Sequence, residues 1–301
     1  MSCLTRRRTS EYGEWVRGDL IGKGGFGSVF KAYPVKLVKG FPAIMAVKVA
    51  EVSESEPTKV EALITEGEIL SEFQDCPFVI KYYGDEWSYI DKKPLSFNLL
   101  LEFAAGGTIG DRIEKSGLTE SEVKEFTESI LKGLQFIHDK GYVHCDLKPD
   151  NILLVPDMTS HADFVAKIAD FGLTKRAQDM YSRQGTAIYW PPETVLSKIQ
   201  GKPSDIWALG CVVLEMLTGN LWPCKTTKVS TLSQSKYYHR LPSFIPIGDW
   251  SSVEAQKTEE HCGLSDDDNI FPLALMSRAA RPVAADTWCT KPTTFALLGA
   301  A

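Results

Sequence analysis

The chain has 301 residues and a formal net charge of −6; 44% of its residues are hydrophobic and 24% charged. That is more than one small domain, with enough apolar residues to bury a real core. The acidic balance argues against a nucleic-acid binder, which would carry a basic face. The longest apolar stretch, IWALGCVVLEMLTG at 206–219, falls short of the roughly 20 residues of a membrane span.

The first residues, MSCLTRRRTSEYGEW, have no apolar run behind their basic ones, so no secretory leader is expected. Arg6 to Arg8 read as part of a solvated, flexible tail, with a small nuclear-import or docking patch as the sharper alternative. The expectation is a soluble, intracellular protein, cytoplasmic with the nucleus as a second location. Residues 14–103 carry short β-type runs: VRGDLI, SVFKAYPV, AIMAVKVA, FVIKYYG and FNLLLEF, each bounded by Gly, Pro or charge. One helix interrupts them from Pro57 to Phe73, with Val60, Leu63, Ile64 and Leu70 at helical spacing.

EFAAGGTIGD, with Gly106 and Gly107, reads as a connector. Beyond it the pattern is helical. LTESEVKEFTESILKGLQFIHDKG opens with a capping box, Thr119 and Glu122, and carries Val123, Phe126, Ile130, Leu134 and Ile137 on one face. It stops at Gly141. The stretch at 206–219 is apolar nearly all round and so belongs inside a large core; Ser204 is its expected N-cap and Gly219 its terminator. Residues 225–262 read as loops, broken by Pro242 and Pro246, and the helical signal after about residue 278 is weak. The picture is α+β: a small β-rich lobe, a linker and a larger helical lobe, an arrangement that favours a pocket between lobes. The seven cysteines (Cys3, Cys76, Cys145, Cys211, Cys224, Cys262 and Cys289) contain no CxxC pair and indicate neither a disulfide framework nor a zinc site.

Four stretches carry chemistry. In LIGKGGFGSVF, Gly22, Gly24 and Gly27 fit G-x-G-x-x-G between two strands, so the loop is a flap whose backbone N–H groups can approach phosphate oxygens. Taken alone it is as readily a tight hairpin. MAVKV places Lys48 inside an apolar strand, where an ammonium needs a partner. Glu66 on the next helix is the candidate, with Glu61 and Glu68 competing. In GYVHCDLKPDNILL, Asp146 could orient or deprotonate an attacking hydroxyl and Lys148 could neutralise charge on a phosphoryl group. Asn151 could offer oxygen to a hard cation. In IADFGLTK, Asp170 could hold Mg²⁺ against a nucleotide. Phosphoryl transfer is mostly positioning and electrostatics and needs such a kit.

With GKGGFGSV, AVK, Glu66, HCDLKPDN, DFG at 170–172, PPE at 191–193 and DIWALG at 205–210 in that order, the chain resembles a eukaryotic protein kinase over roughly residues 15–285. DLKPDN and Thr186 in QGTAIYWPPE are similar to the serine/threonine class. WVRGDLIGKGGFGSVFKA and SDIWALGCVVLEMLTGNLW resemble plant mitogen-activated protein kinase kinase kinases of the MEKK type. The resemblance implies a bilobal kinase fold with a tail at 1–13, an N-lobe at 14–103, a hinge at 104–108, a C-lobe at 109–290 and an atypical end at 291–301. It implies ATP and Mg²⁺ as cofactors. The ATP site would take Ile21, Gly22, Lys23, Gly24, Gly25, Phe26, Gly27, Ser28 and Val29, with Ala46 and the Lys48–Glu66 pair. Leu101 would be the gatekeeper, and Glu102 and Phe103 the start of the hinge. Asp146 would be the catalytic aspartate, Lys148 a γ-phosphate contact, and Asn151 and Asp170 the metal ligands. Thr186 would brace the catalytic loop, Asp205 would bond its backbone, and Arg281 would pair with Glu193. His144 becomes a packing residue. The implied partner is a protein substrate, a downstream kinase kinase, with no nucleic acid and no membrane span.

Two departures stand out. Cys145 replaces the arginine usual before the catalytic aspartate, so a phosphorylated activation segment would lack its main clamp. The expectation is activation without loop phosphorylation, with Cys145 a small buried hydrophobe rather than a redox sensor. Thr174, Tyr181, Ser182 and Thr186 are not ranked as phosphosites. The atypical end keeps open a pseudokinase or scaffold, against which stand Lys48, Asp146, Asn151 and Asp170. A small-molecule phosphotransferase is disfavoured by Thr186 and PPE.

Overall fold

The computed structural model describes residues 7–9, 13–25, 27–37, 42–53, 57–157 and 162–220. Phe26, Arg281 and every expectation for 221–301 lie outside the described residues. Six strands form one antiparallel sheet in the order β1-β2-β3-β4-β6-β5: β1 Arg7–Thr9, β2 Gly13–Gly24, β3 Gly27–Pro34, β4 Met45–Glu51, β5 Tyr82–Ile90 and β6 Lys93–Glu102. The helix α1, Pro57–Glu72, follows β4.

Arg7–Thr9 is a correction to the flexible tail. It pairs with β2, with Arg7 opposite Trp15. Two other expectations shift. FVIKYYG is a strand only from Tyr82; its first part instead reaches the second lobe, where Ile80 N–H donates to the Ile168 carbonyl at 2.9 Å. The sheet also gains a hairpin at Asp91–Lys92, both at positive φ, as a two-residue turn between right-twisted strands demands.

One face of the sheet buries Trp15, Ala32, Met45, Val47, Val49 and Leu100 together. β4 lies between β3 and β6 and is buried at every position from Met45 to Ala50. Strand alternation aims one set of its side chains at that cluster and the other set, including Lys48, at the opposite face. On α1, Val60, Leu63, Ile69 and Leu70 are buried, whereas Ile64 is only half-buried.

The second lobe starts with α2, Ile109–Ser116, which the sequence reading did not foresee. Thr108 and Asp111 cap it reciprocally, at 2.9 and 3.0 Å. α3, Glu120–Asp139, has the expected Thr119–Glu122 box, and all five expected stripe residues are buried. β7 (Tyr142–Val143) pairs with β10 (Lys175–Arg176), and β8 (Ile152–Pro156) with β9 (Phe164–Ile168). α4 is Pro192–Ser197 and α5 is Lys202–Thr218. Ser204 is not the cap of α5: the helix begins earlier, with Gly201 as N-cap, and the Ser204 hydroxyl accepts the Gly201 N–H at 3.2 Å. Gly219 ends it as expected, in the left-handed conformation. Among the described residues no helix is long and apolar enough to cross a membrane.

Candidate active site

The glycine-rich stretch is a hairpin of β2 and β3, with Gly22 opposite Val29, Lys23 opposite Ser28 and Gly24 opposite Gly27. The space beside Gly22, Gly24 and Gly25 is open, whereas a Cβ on Gly27 (φ +150°) would collide with the Val49 carbonyl. Glycine at 27 therefore lets the flap lie flat on β4. Ile21 is half-exposed at its root, while Ala46 and Leu101 face each other, buried, on β4 and β6. Glu102 is turned to the second lobe: its carboxylate accepts from Lys167 Nζ at 2.9 Å and from the Lys81 N–H at 3.1 Å. Phe103 lies under the Lys31 ammonium.

Lys48 Nζ reaches Glu66 Oε2 at 2.7 Å and Asp170 Oδ1 at 2.8 Å. Glu61 and Glu68 point outward, exposed, which settles the competition for Glu66. Burial alone would pull the Lys48 ammonium down, but Glu66 and Asp170 override it and push its pKa up. Burial pushes the Glu66 carboxyl up; Lys48 pulls it back and Asp170 raises it again, with a net upward shift. Burial also works against ionised Asp170, yet Lys48, by charge and hydrogen bond, holds it below its ordinary 3.8. The two carboxylates sharing one ammonium are thus shifted in opposite directions, Glu66 up by its burial and Asp170 down by Lys48. The Phe171 N–H donates to Glu66 Oε1 at 3.3 Å, and the Phe171 ring packs edge-on against Phe73 and His144.

The stretch 144–151 wraps around Asp146. Asp146 Oδ1 accepts from the Thr186 N–H at 2.8 Å and the Thr186 hydroxyl at 2.7 Å. Its Oδ2 accepts from Lys148 Nζ at 2.8 Å and Asn151 Nδ2 at 3.1 Å. Lys148 also donates to Thr186 Oγ1 at 3.0 Å. Asn151 donates again to the Asp146 carbonyl, at 2.8 Å, which leaves Oδ1 as its oxygen donor. Proline at 149 starts a short 3-10 turn that turns Asn151 back onto Asp146.

Asp205 of α5 holds this loop from below. It accepts from the His144 N–H at 2.9 Å, the Cys145 N–H at 3.0 Å and His138 Nε2 at 2.8 Å. Burial would raise its carboxyl, but the bonds from His138 and His144 hold it below the ordinary range. His144 packs as expected: Nε2 donates to the Ala169 carbonyl at 3.1 Å and Nδ1 accepts the Asp146 N–H at 3.3 Å. Cys145 is buried at positive φ, and burial, with Asp205 nearby, pushes its thiol up, so it is not a reactive thiolate. Burial also pushes the Glu193 carboxyl up. Of the hydroxyls on the segment, Thr186 is engaged with Asp146, Tyr181 is exposed and Ser182 lies on Lys175 Nζ at 2.5 Å.

The sequence reading missed Phe73, whose ring sits against Phe136, Tyr142 and Phe171 and so ties α1 to the Asp170 turn. It missed His138 and Gln200 as well. Position 138 could have been suspected as a polar residue on the apolar face of α3; nothing local marks Gln200.

Oxygen donors on Asp170 and Asn151 suit a hard cation. An ammonium between two carboxylates, on the strand paired with the glycine hairpin, together with an aspartate braced by four donors, is the arrangement of the protein kinase family, and the chain belongs to that family. The protein kinase domain model matches residues 15–281. Among curated proteins it is similar to Mitogen-activated protein kinase kinase kinase 20 of Arabidopsis thaliana, 38% identical over 223 residues, covering 70% of this chain and 62% of that protein. Mitogen-activated protein kinase kinase kinase 17 of the same plant is 39% identical, covering 69% of this chain and 52% of that protein. Serine/threonine-protein kinase BCK1/SLK1/SSP31 of Saccharomyces cerevisiae is 38% identical, over 69% of this chain but 14% of its own length. The chain thus spans less than two thirds of these relatives.

Proposed function

We propose that the chain is a serine/threonine protein kinase that transfers the γ-phosphate of ATP to a hydroxyl on a protein substrate, in a mitogen-activated protein kinase cascade. The carrying observation is the double assembly of Lys48 with Glu66 and Asp170, and of Asp146 with Lys148, Asn151 and Thr186.

In this reading the substrate oxygen attacks the γ-phosphorus, the bond to the β,γ-bridging oxygen breaks, and the hydroxyl proton passes toward Asp146. Asp146 is held by four donors in one orientation, so its carboxylate is pre-aimed and needs no reorganisation at the reaction. Lys148 sits beside it, positioned to balance charge that develops on the transferred group. Lys48, fixed by two carboxylates, presents an ammonium to the nucleotide phosphates. Asp170 and Asn151 would hold Mg²⁺, which supplies neutralisation of phosphate charge when bound. The flap from Gly22 to Val29 would cover the nucleotide and keep water out.

The names of the relatives support a mitogen-activated protein kinase kinase as the substrate. The test is phosphorylation of a panel of such kinases by the full chain with ATP and Mg²⁺, beside Asp146→Asn and Lys48→Met. Incorporation by the wild type, lost in both variants, is expected. Equal incorporation by wild type and Asp146→Asn would reject the mechanism and favour a scaffold.

A further inference from the structure

Gln200 stands in the turn between α4 and α5 and is 1% exposed. A buried amide must find partners for two N–H groups and an oxygen, and all of this one's partners lie on two functional segments. Nε2 donates to the Cys145 carbonyl at 3.2 Å and to the Gln184 carbonyl at 3.0 Å. Oε1 accepts the Gln184 N–H at 3.1 Å and the Ser182 hydroxyl at 3.4 Å. One side chain thus closes on both polar groups of residue 184 and on the residue that precedes Asp146.

The next two residues carry this grip to the site. Gly185 has φ +86°, and a Cβ there would collide with the Cys145 carbonyl, so the two strands of chain run in contact. Thr186 then supplies both donors to Asp146 Oδ1. Cys145 itself offers no charge to hold the segment; its thiol turns to the Val143 carbonyl at 3.5 Å. Ser182, the remaining partner of Gln200, is held in turn by Lys175.

We propose that Gln200 is a positioning residue for phosphoryl transfer: its uncharged amide clamps residues 182–186 onto the catalytic loop and so fixes Asp146 through Thr186. The proposal rests on the kinase reading above. Its bland competitor is a glutamine that merely satisfies a buried turn. The two differ in what else moves on substitution, because the nucleotide contacts come from Lys48 and the flap, which Gln200 does not touch.

The experiment compares Gln200→Met and Gln200→Glu in the full chain, alone and combined with Thr186→Val. With ATP, Mg²⁺ and a kinase kinase substrate, kcat is expected to fall roughly 10- to 100-fold, the scale of a small misplacement, while KM for ATP stays unchanged. Because both residues act on Asp146 in series, the double variant should be no slower than Thr186→Val alone. Hydrogen exchange of the backbone at 182–186 should quicken in both single variants. Gln200→Glu keeps the shape and acceptor but lacks the donors, so it serves if Gln200→Met does not fold. Unchanged kcat, unchanged exchange, multiplying losses in the double variant, or a rise in KM for ATP in step with the fall in kcat would each overturn the proposal. If the wild type is no more active than Asp146→Asn, the kinase reading has failed, and exchange at 182–186 still decides whether Gln200 clamps that segment.

Discussion

Asp205 and Gly27 are single positions at which one atom group decides a local arrangement. Asp205 takes three donors in a fully buried place. Asp205→Asn keeps the volume but removes the charge and turns an N–H toward donors. Breaking a buried pair on one side costs about 3–5 kcal/mol, which urea unfolding at pH 7 should register. A carboxyl whose folded pKa lies below its unfolded one stabilises the fold above the unfolded value and loses that contribution as pH falls through the folded value. The folded pKa of Asp205 is lowered from 3.8. The gap between wild type and variant should therefore be full at neutral pH and close only as pH drops below about 4. A gap that stays constant down to pH 2 would mean that the carboxylate charge is not what holds the loop. Gly27→Ala meets the Val49 carbonyl at a positive φ and should destabilise by more than ~1 kcal/mol. Gly25→Ala faces open space and should stay within about 0.5 kcal/mol. Equal losses at the two positions in urea unfolding would show that the flap is not pressed onto β4.

At the scale of elements, the segment from β10 to α4 is held by the Arg176–Glu72 ion pair at its start and then by Lys175 on Ser182, Gln200 on Gln184 and Cys145, and Thr186 on the Asp146 carboxylate. No contact among them uses a side chain at 145 to bind a phosphate. Activity before and after phosphatase treatment of the purified chain is expected to be equal. A large loss on treatment would show that a phosphate adds order that these contacts do not. The elements differ in how well the sequence announced them. α1, α3 and the β2–β3 hairpin were legible because apolar spacing, caps and glycines agree there. The β5–β6 hairpin was not, because Asp91 and Lys92 take positive φ where Gly or Asn is the usual sign. α2 was hidden because its Thr108–Asp111 box follows two glycines and introduces only eight residues. Motif order brought Lys48, Asp146, Asn151 and Asp170 forward as candidates. Spacing could not separate Glu66 from Glu61 and Glu68, and it could not reveal Gln200, whose bonds run to backbone groups 16 and 55 residues away.

At the scale of the whole molecule, the sheet lobe and the helical lobe meet through groups that a nucleotide would also use. Lys48 comes from β4, Glu66 from α1 and Asp170 from the turn after β9, while Ile80 and Phe78 bond the backbone of Ile168. A ligand that bridges these groups in the folded chain and finds no site in the unfolded one must raise stability, by about 2.7 kcal/mol at a hundred times its Kd. The thermal midpoint of the full chain should therefore rise with ATP and rise further with ATP plus Mg²⁺. Asp170→Asn removes the carboxylate proposed to hold Mg²⁺, so the increment due to Mg²⁺ should vanish while a smaller one due to ATP alone remains. Lys48→Met removes the ammonium and should reduce the ATP increment itself. An Asp170→Asn chain that still gains as much from Mg²⁺ as the wild type would place the metal on other residues.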